Sequence, residues 1–136
     1  MQMQIAPNLT QMIRDMAPAH RAPVMRALTS RPRIQGRWFG GDDAGCFWVI
    51  ATQRVNGISR RHFEKDPEGI SATTFGVSRD RVRAVYQEWD GLTPEDLDRW
   101  IAGVKAEVQA HVDEAHHRQQ SLVRRGIEAA RELVRC

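Results

Sequence analysis

The residues whose types and spacing could do chemistry lie in the middle of this chain. Arg79, Asp80, Arg83, Ala84 and Gln87 fall on one side of a helix if the segment is helical. Arginine offers a bidentate fork for guanine or phosphate and glutamine a bidentate amide for adenine, so this side has the residue types that read base edges. Arg60, Arg61, Lys65, Ser78 and Arg81 surround it and are of the types that hold phosphates without reading sequence. Other candidates are weaker. Asp113 and His117 are four apart in HVDEAHH and would share a helix face as two metal ligands, but the third is missing and no metal site is expected. Asp42 and Asp43 have no recognisable acid–base partners. The GGDDAG stretch around them lacks the lysine or serine of a phosphate loop, so a turn is expected there. No catalytic group and no cofactor are expected.

The basic side needs an element to present it, and the local signals supply two crossed helices. Asp66 before Pro67 is a strong helix start, since the carboxylate accepts from orphan amides and proline needs no donor. Phe75 closes that helix, and Gly76 permits the left-handed backbone of a tight turn. Ser78 caps the second helix, with Asp80 placed well against its dipole. Val82, Val85, Tyr86 and Trp89 recur at i, i+3, i+4 and i+7, which predicts a buried stripe opposite the arginines. With Ala72 at the crossing and Val77 after the glycine, this is the spacing of a helix-turn-helix.

Residues 76–92, GVSRDRVRAVYQEWDGL, resemble the recognition-helix region of GntR-type winged helix-turn-helix repressors, in which a Gly-Val-Ser-Arg turn leads into a Val-Arg helix ending near Gly-Leu. The resemblance implies that Ser78, Arg79 and Arg83 contact DNA. It covers about residues 66–92. Where those repressors continue into a β-hairpin wing, this chain has TPEDLDRW, a new helix start.

The surrounding chain must complete the unit. Four prolines (Pro7, Pro18, Pro23 and Pro32) divide residues 1–32, where two short helices are expected. Arg21, Arg26, Arg31, Arg33 and Arg37 read either as a phosphate-contacting arm or as a solvated surface. Residues 33–55 read as a hairpin around a Gly-Asp centre or as a helix from Ala44 to Val55 capped by Asp43. The helix is preferred, because a three-helix unit needs it. Ser59 should cap a short helix that turns Phe63 inward.

Thr93-Pro94 with Glu95 and Asp96 opens the last helix, expected to reach about His117, roughly 36 Å at 1.5 Å per residue. Its Leu97, Ile101, Val104 and Val108, and further on Val123, Ile127, Ala130 and Val134, are each spaced four, three and four, as a dimerisation seam would be. The polar HHRQQS between the two stripes leaves open whether the helix continues or folds back.

At 136 residues, 41% hydrophobic and 27% charged, the chain suits one domain with an extension. Cys46 and Cys136 are too few and too far apart for a disulfide framework or a cysteine zinc site. Nothing approaches a membrane span and the first residues do not read as a leader, so a cytoplasmic protein is expected. Residues 1–87 carry 13 Lys plus Arg against 7 Asp plus Glu, whereas residues 88–136 carry 7 against 10. A basic part joined to an acidic part suits a nucleic-acid face joined to an assembly segment.

The expected fold is all-α, with a possible small β-hairpin near residues 33–52. Short helices and a basic arm would occupy 1–39, a helix-turn-helix unit 40–92 and a helical dimerisation segment 93–136. The expected function is sequence-specific binding of double-stranded DNA by a homodimeric transcriptional regulator, with no enzymatic activity. The alternatives are a DNA-recruiting assembly protein and a protein-binding adaptor that uses the same helices as a scaffold.

Overall fold

Prolines mark where helices begin. Pro7, Pro18, Pro67 and Pro94 each open one, because the first turn needs no amide donor there. The computed structural model describes residues 5–41 and 43–135; Met1–Gln4, Asp42 and Cys136 fall outside, and with them the terminal thiol and half of the Asp42–Asp43 pair. The described chain runs α1 (Pro7–Asp15), α2 (Pro18–Ser30), α3 (Phe47–Asn56), α4 (Arg60–Phe63), α5 (Pro67–Phe75), α6 (Arg79–Gly91) and α7 (Pro94–Arg135). The fold is all-α, with no strand among the described residues.

The hairpin considered for residues 33–52 does not form. Among the described residues the β pairing there is two isolated bridges, Arg33 with Gly45 and Phe39 with Gly45. The helix preferred for this region does form, but it starts at Phe47 with Cys46 as its cap residue, rather than at Ala44. Asp43 is not the cap. It stays in the loop, where Arg31 holds both its carbonyl and its carboxylate. The loop wraps the end of α6: the Gln35 amide donates to the Trp89 and Leu92 carbonyls at 2.6 and 2.7 Å, and Trp89 donates its indole N–H to the Ile34 carbonyl.

One core takes residues from α1, α2, α3, α5, α6 and the first part of α7, centred on Phe47, Trp48, Trp89 and Trp100. α3, α5 and α6 form the expected three-helix unit, and α2 packs on both α3 and α7. The basic run of residues 21–37 is largely fastened to this body. Arg21 donates to the Met16 and Arg14 carbonyls, Arg31 holds Asp43, and Arg33 reaches the Leu28 carbonyl and Asp98. Only Arg26 and Arg37 of the five are fully exposed.

The final helix needs two corrections. It does not turn at HHRQQS but continues as one 42-residue helix, roughly 63 Å long at 1.5 Å per residue. Leu97, Ile101, Val104 and Val108 are not a free dimerisation seam. They are buried within their own chain, together with Trp100, because α2 supplies the partner helix. Beyond Val108 nearly every residue is exposed. Among the described residues no helix is long and apolar enough to cross a membrane.

Candidate nucleic-acid interface

Gly76 ends α5 with φ of 66°, and its neighbour Val77 donates to the Ala72 carbonyl at 3.0 Å, closing the turn. Ser78 then caps α6, its hydroxyl accepting from the Arg81 amide at 3.1 Å. α6 buries Val82, Val85 and Trp89 as the spacing requires, while Tyr86 is half-buried and stacks on Trp38 at 4.8 Å. Burial pushes the Tyr86 hydroxyl up to about 12, with Asp90 adding to the shift. Trp48 fixes the rotation of α6 by donating its indole N–H from α3 to the Val82 carbonyl at 2.9 Å.

Arg79, Asp80, Arg83, Ala84 and Gln87 are all exposed on the opposite side. α5 and α1 flank them. On the α5 flank, Arg79 forks onto the Asp66 carboxylate at 3.2 and 2.7 Å, and Arg83 forks onto Glu68 at 2.8 and 2.9 Å. Asp66 also caps α5 by accepting from the Gly69 amide, and a side chain at Gly69 would run into both the Asp66 carboxylate and the Arg79 guanidinium. The α5 start is thus shaped to admit the Arg79 fork. The guanidiniums hold both carboxyls below their ordinary range, and the carboxylates in turn raise the two arginines. Even so, Arg79 and Arg83 keep 53% and 57% of their side-chain surface in water.

On the other flank α1 lies along α6. Asp15 pairs with Arg81 near the start of α6, and Glu88 accepts from the Asn8 and Leu9 amides at 3.1 and 2.8 Å, capping α1 near the end. Sequence reasoning missed Glu88, Asp66 and Glu68 as partners, since each contact joins positions far apart in the chain.

The donors expected to be free are therefore largely engaged. Arg79 and Arg83 hold carboxylates, Arg81 holds Asp15, and the Ser78 hydroxyl serves as a cap. Arg60 donates to the Gly40 carbonyl at 2.6 Å and to Glu64, and lies over the Phe39 ring. These pairs form because α1, α5 and the residue 31–46 loop each bring an acceptor within reach. Arg61 and Lys65 are exposed and make no ion pair among the described residues. Three carboxylates, Asp66, Glu68 and Asp80, sit with the guanidiniums of Arg79 and Arg83, so the local charge is close to balanced. Among the described residues no three His, Cys, Asp or Glu side chains converge as metal ligands, and Asp113 instead accepts from Gln109.

The expected dimerisation residues divide at Val108: Leu97, Ile101, Val104 and Val108 belong to the core, whereas Val123, Ile127 and Val134 are exposed on the distal part of α7. No family model matches the chain, and no curated protein or solved structure proves similar to it.

Proposed function

We propose that the chain binds duplex DNA through the start and outer side of α6, as a small homodimeric regulator. The observation that carries this reading is the left-handed turn at Gly76 followed by a helix whose valine side is buried and whose opposite side, Arg79 to Gln87, faces solvent. In this reading the guanidiniums of Arg79 and Arg83 exchange Asp66 and Glu68 for guanine or phosphate oxygens. Exposed ion pairs are weak enough in water for such an exchange. Arg61 and Lys65 add phosphate contacts, and Gln87 offers an amide to adenine.

A second reading, a protein-binding adaptor with the three helices as scaffold, is favoured by the near-balanced charge beside α6. One experiment separates the two. In a selection from random duplexes at two salt concentrations, the DNA reading requires enrichment of a motif by the wild-type chain and a changed preference for Arg83→Ala. Identical preferences would remove Arg83 from base reading. No measurable DNA affinity at low salt would leave the adaptor.

A further inference from the structure

Two hollows meet where α1, α2 and α7 come together. A cavity of about 110 Å³ is lined by Thr10 and Ile13 of α1, Arg21 of α2 and Val104, Val108 and His111 of α7. A more open groove of about 620 Å³ shares Arg21, Val108 and His111 with it and continues past Val112 and Arg118. Ile13, Val104 and Val108 belong to the core and give the walls an apolar surface.

The charged side chains at these hollows pair off, apart from Arg21. Arg14 holds Glu107 at 3.0 Å, and Arg118 lies 3.9 Å from Glu114. Asp15 spends one carboxylate oxygen on Gln11 and the other on Arg81. The Arg81 and Gln11 bonds, with the nearby charge of Arg21, hold the Asp15 carboxyl below its ordinary range. Arg21 itself makes no ion pair among the described residues. Its Nε and Nη2 donate to the carbonyls of Met16 and Arg14 at 3.0 and 2.6 Å, closing the end of α1 and leaving guanidinium donors over. A half-buried cation whose acceptors are neutral favours a counter-charge.

We infer that the hollows hold a small monocarboxylate with an apolar body: its carboxylate sits on Arg21, next to His111, and its body lies on Ile13, Val104, Val108 and Val112. A guanidinium matches a planar carboxylate, and the apolar walls favour an organic body over a bare inorganic anion. The same arginine ties the hollows to α6. Arg21 closes the last turn of α1, and Asp15 of that turn holds Arg81 in the first turn of α6. A carboxylate on Arg21 competes with the Arg14 and Met16 carbonyls and so shifts the Asp15–Arg81 contact, which makes the ligand an effector of α6. The effector step rests on the DNA reading of α6; the binding step does not.

The test is a titration of the full-length chain followed at the Trp100 indole N–H in proton–nitrogen correlation spectra, because that group donates to the Thr10 hydroxyl in the cavity wall. Sodium hexanoate should shift it saturably and bind roughly tenfold tighter than hexanol, a ratio that one hydrogen bond to a charged group supplies. Inorganic phosphate, which carries charge without an apolar body, should not saturate it. Arg21→Gln should abolish the preference for hexanoate but also removes the closure of α1. His111→Glu, at an exposed position, leaves that closure in place, sets a carboxylate beside Arg21 and should abolish the preference too. No saturable shift with hexanoate overturns the site. Equal affinity for hexanoate and hexanol, saturation by phosphate, or an undiminished preference in His111→Glu overturns the carboxylate assignment. Bound hexanoate should change duplex affinity severalfold in the wild-type chain and not in His111→Glu. An unchanged duplex affinity overturns the link to α6. Absence of duplex binding with and without hexanoate removes the DNA reading and the effector step with it, while the hexanoate titration still decides the site.

Discussion

Asp66 and Glu68 decide what the arginines of α6 can do. Each carboxylate takes a two-point fork, and Asp66 is also the cap of α5. If Arg79 and Arg83 meet DNA, these carboxylates compete with it, so Asp66→Asn with Glu68→Gln should raise duplex affinity severalfold in a titration at low salt. If the arginines serve only to hold α6 against α5, affinity will not rise and stability alone will fall. The stability effect has a definite pH dependence. Both carboxyls titrate below their ordinary values of 3.8 and 4.5, because their guanidinium partners favour the charged form. Their contribution is complete above those values and is lost as pH falls through the lower folded values. Urea unfolding of wild type and the double variant should accordingly differ near neutrality and converge in acid. Gly69→Ala tests the same site by sterics. The added methyl meets the far ends of the exposed Asp66 and Arg79 side chains, which can swing away, so it should open the Arg79 fork with little change in the urea midpoint.

At the scale of the element, what could be read in advance was whatever a few neighbouring residues decide. Asp66-Pro67, Gly76, Ser78 and Thr93-Pro94 acted as helix boundaries because caps and turns depend only on local backbone geometry. The valine stripe of α6 was legible for the same reason, since its period alone shows which side must be buried. What could not be read were partners distant in sequence. Nothing in Asn8-Leu9 signals that Glu88 will cap α1, nor in Leu97–Val108 that α2 rather than a second chain will cover it. The length of α7 was ambiguous because HHRQQS has neither apolar residues nor a breaker. Trp100 shows how such distant contacts are fixed. It lies between the four-three positions of the seam, is fully buried, and donates its indole N–H to the Thr10 hydroxyl of α1 at 2.9 Å. Thr10→Val keeps the shape and removes the acceptor. Leaving that N–H unsatisfied should cost about 1–3 kcal/mol, measurable as a lower urea midpoint with unchanged slope.

The whole molecule divides into a body held by its own core and a helical rod that has none. All four tryptophans, Trp38, Trp48, Trp89 and Trp100, lie in the body, whereas the chain beyond Val108 buries almost nothing. The two parts can therefore be watched separately. Tryptophan fluorescence reports the body, and helical circular dichroism includes the rod. The rod's apolar face adds to the stability of its helix only when another chain covers it, since in proteins most helical stability comes from packing an amphipathic face. Dilution should then lower ellipticity at 222 nm while tryptophan emission stays constant, and Val123→Glu with Ile127→Glu should show the low ellipticity at every concentration. Ellipticity that is independent of concentration in both proteins would mean that the rod is stable alone. Its long helix would then follow from the i,i+4 pairing of Glu114 with Arg118 and Gln109 with Asp113 rather than from association.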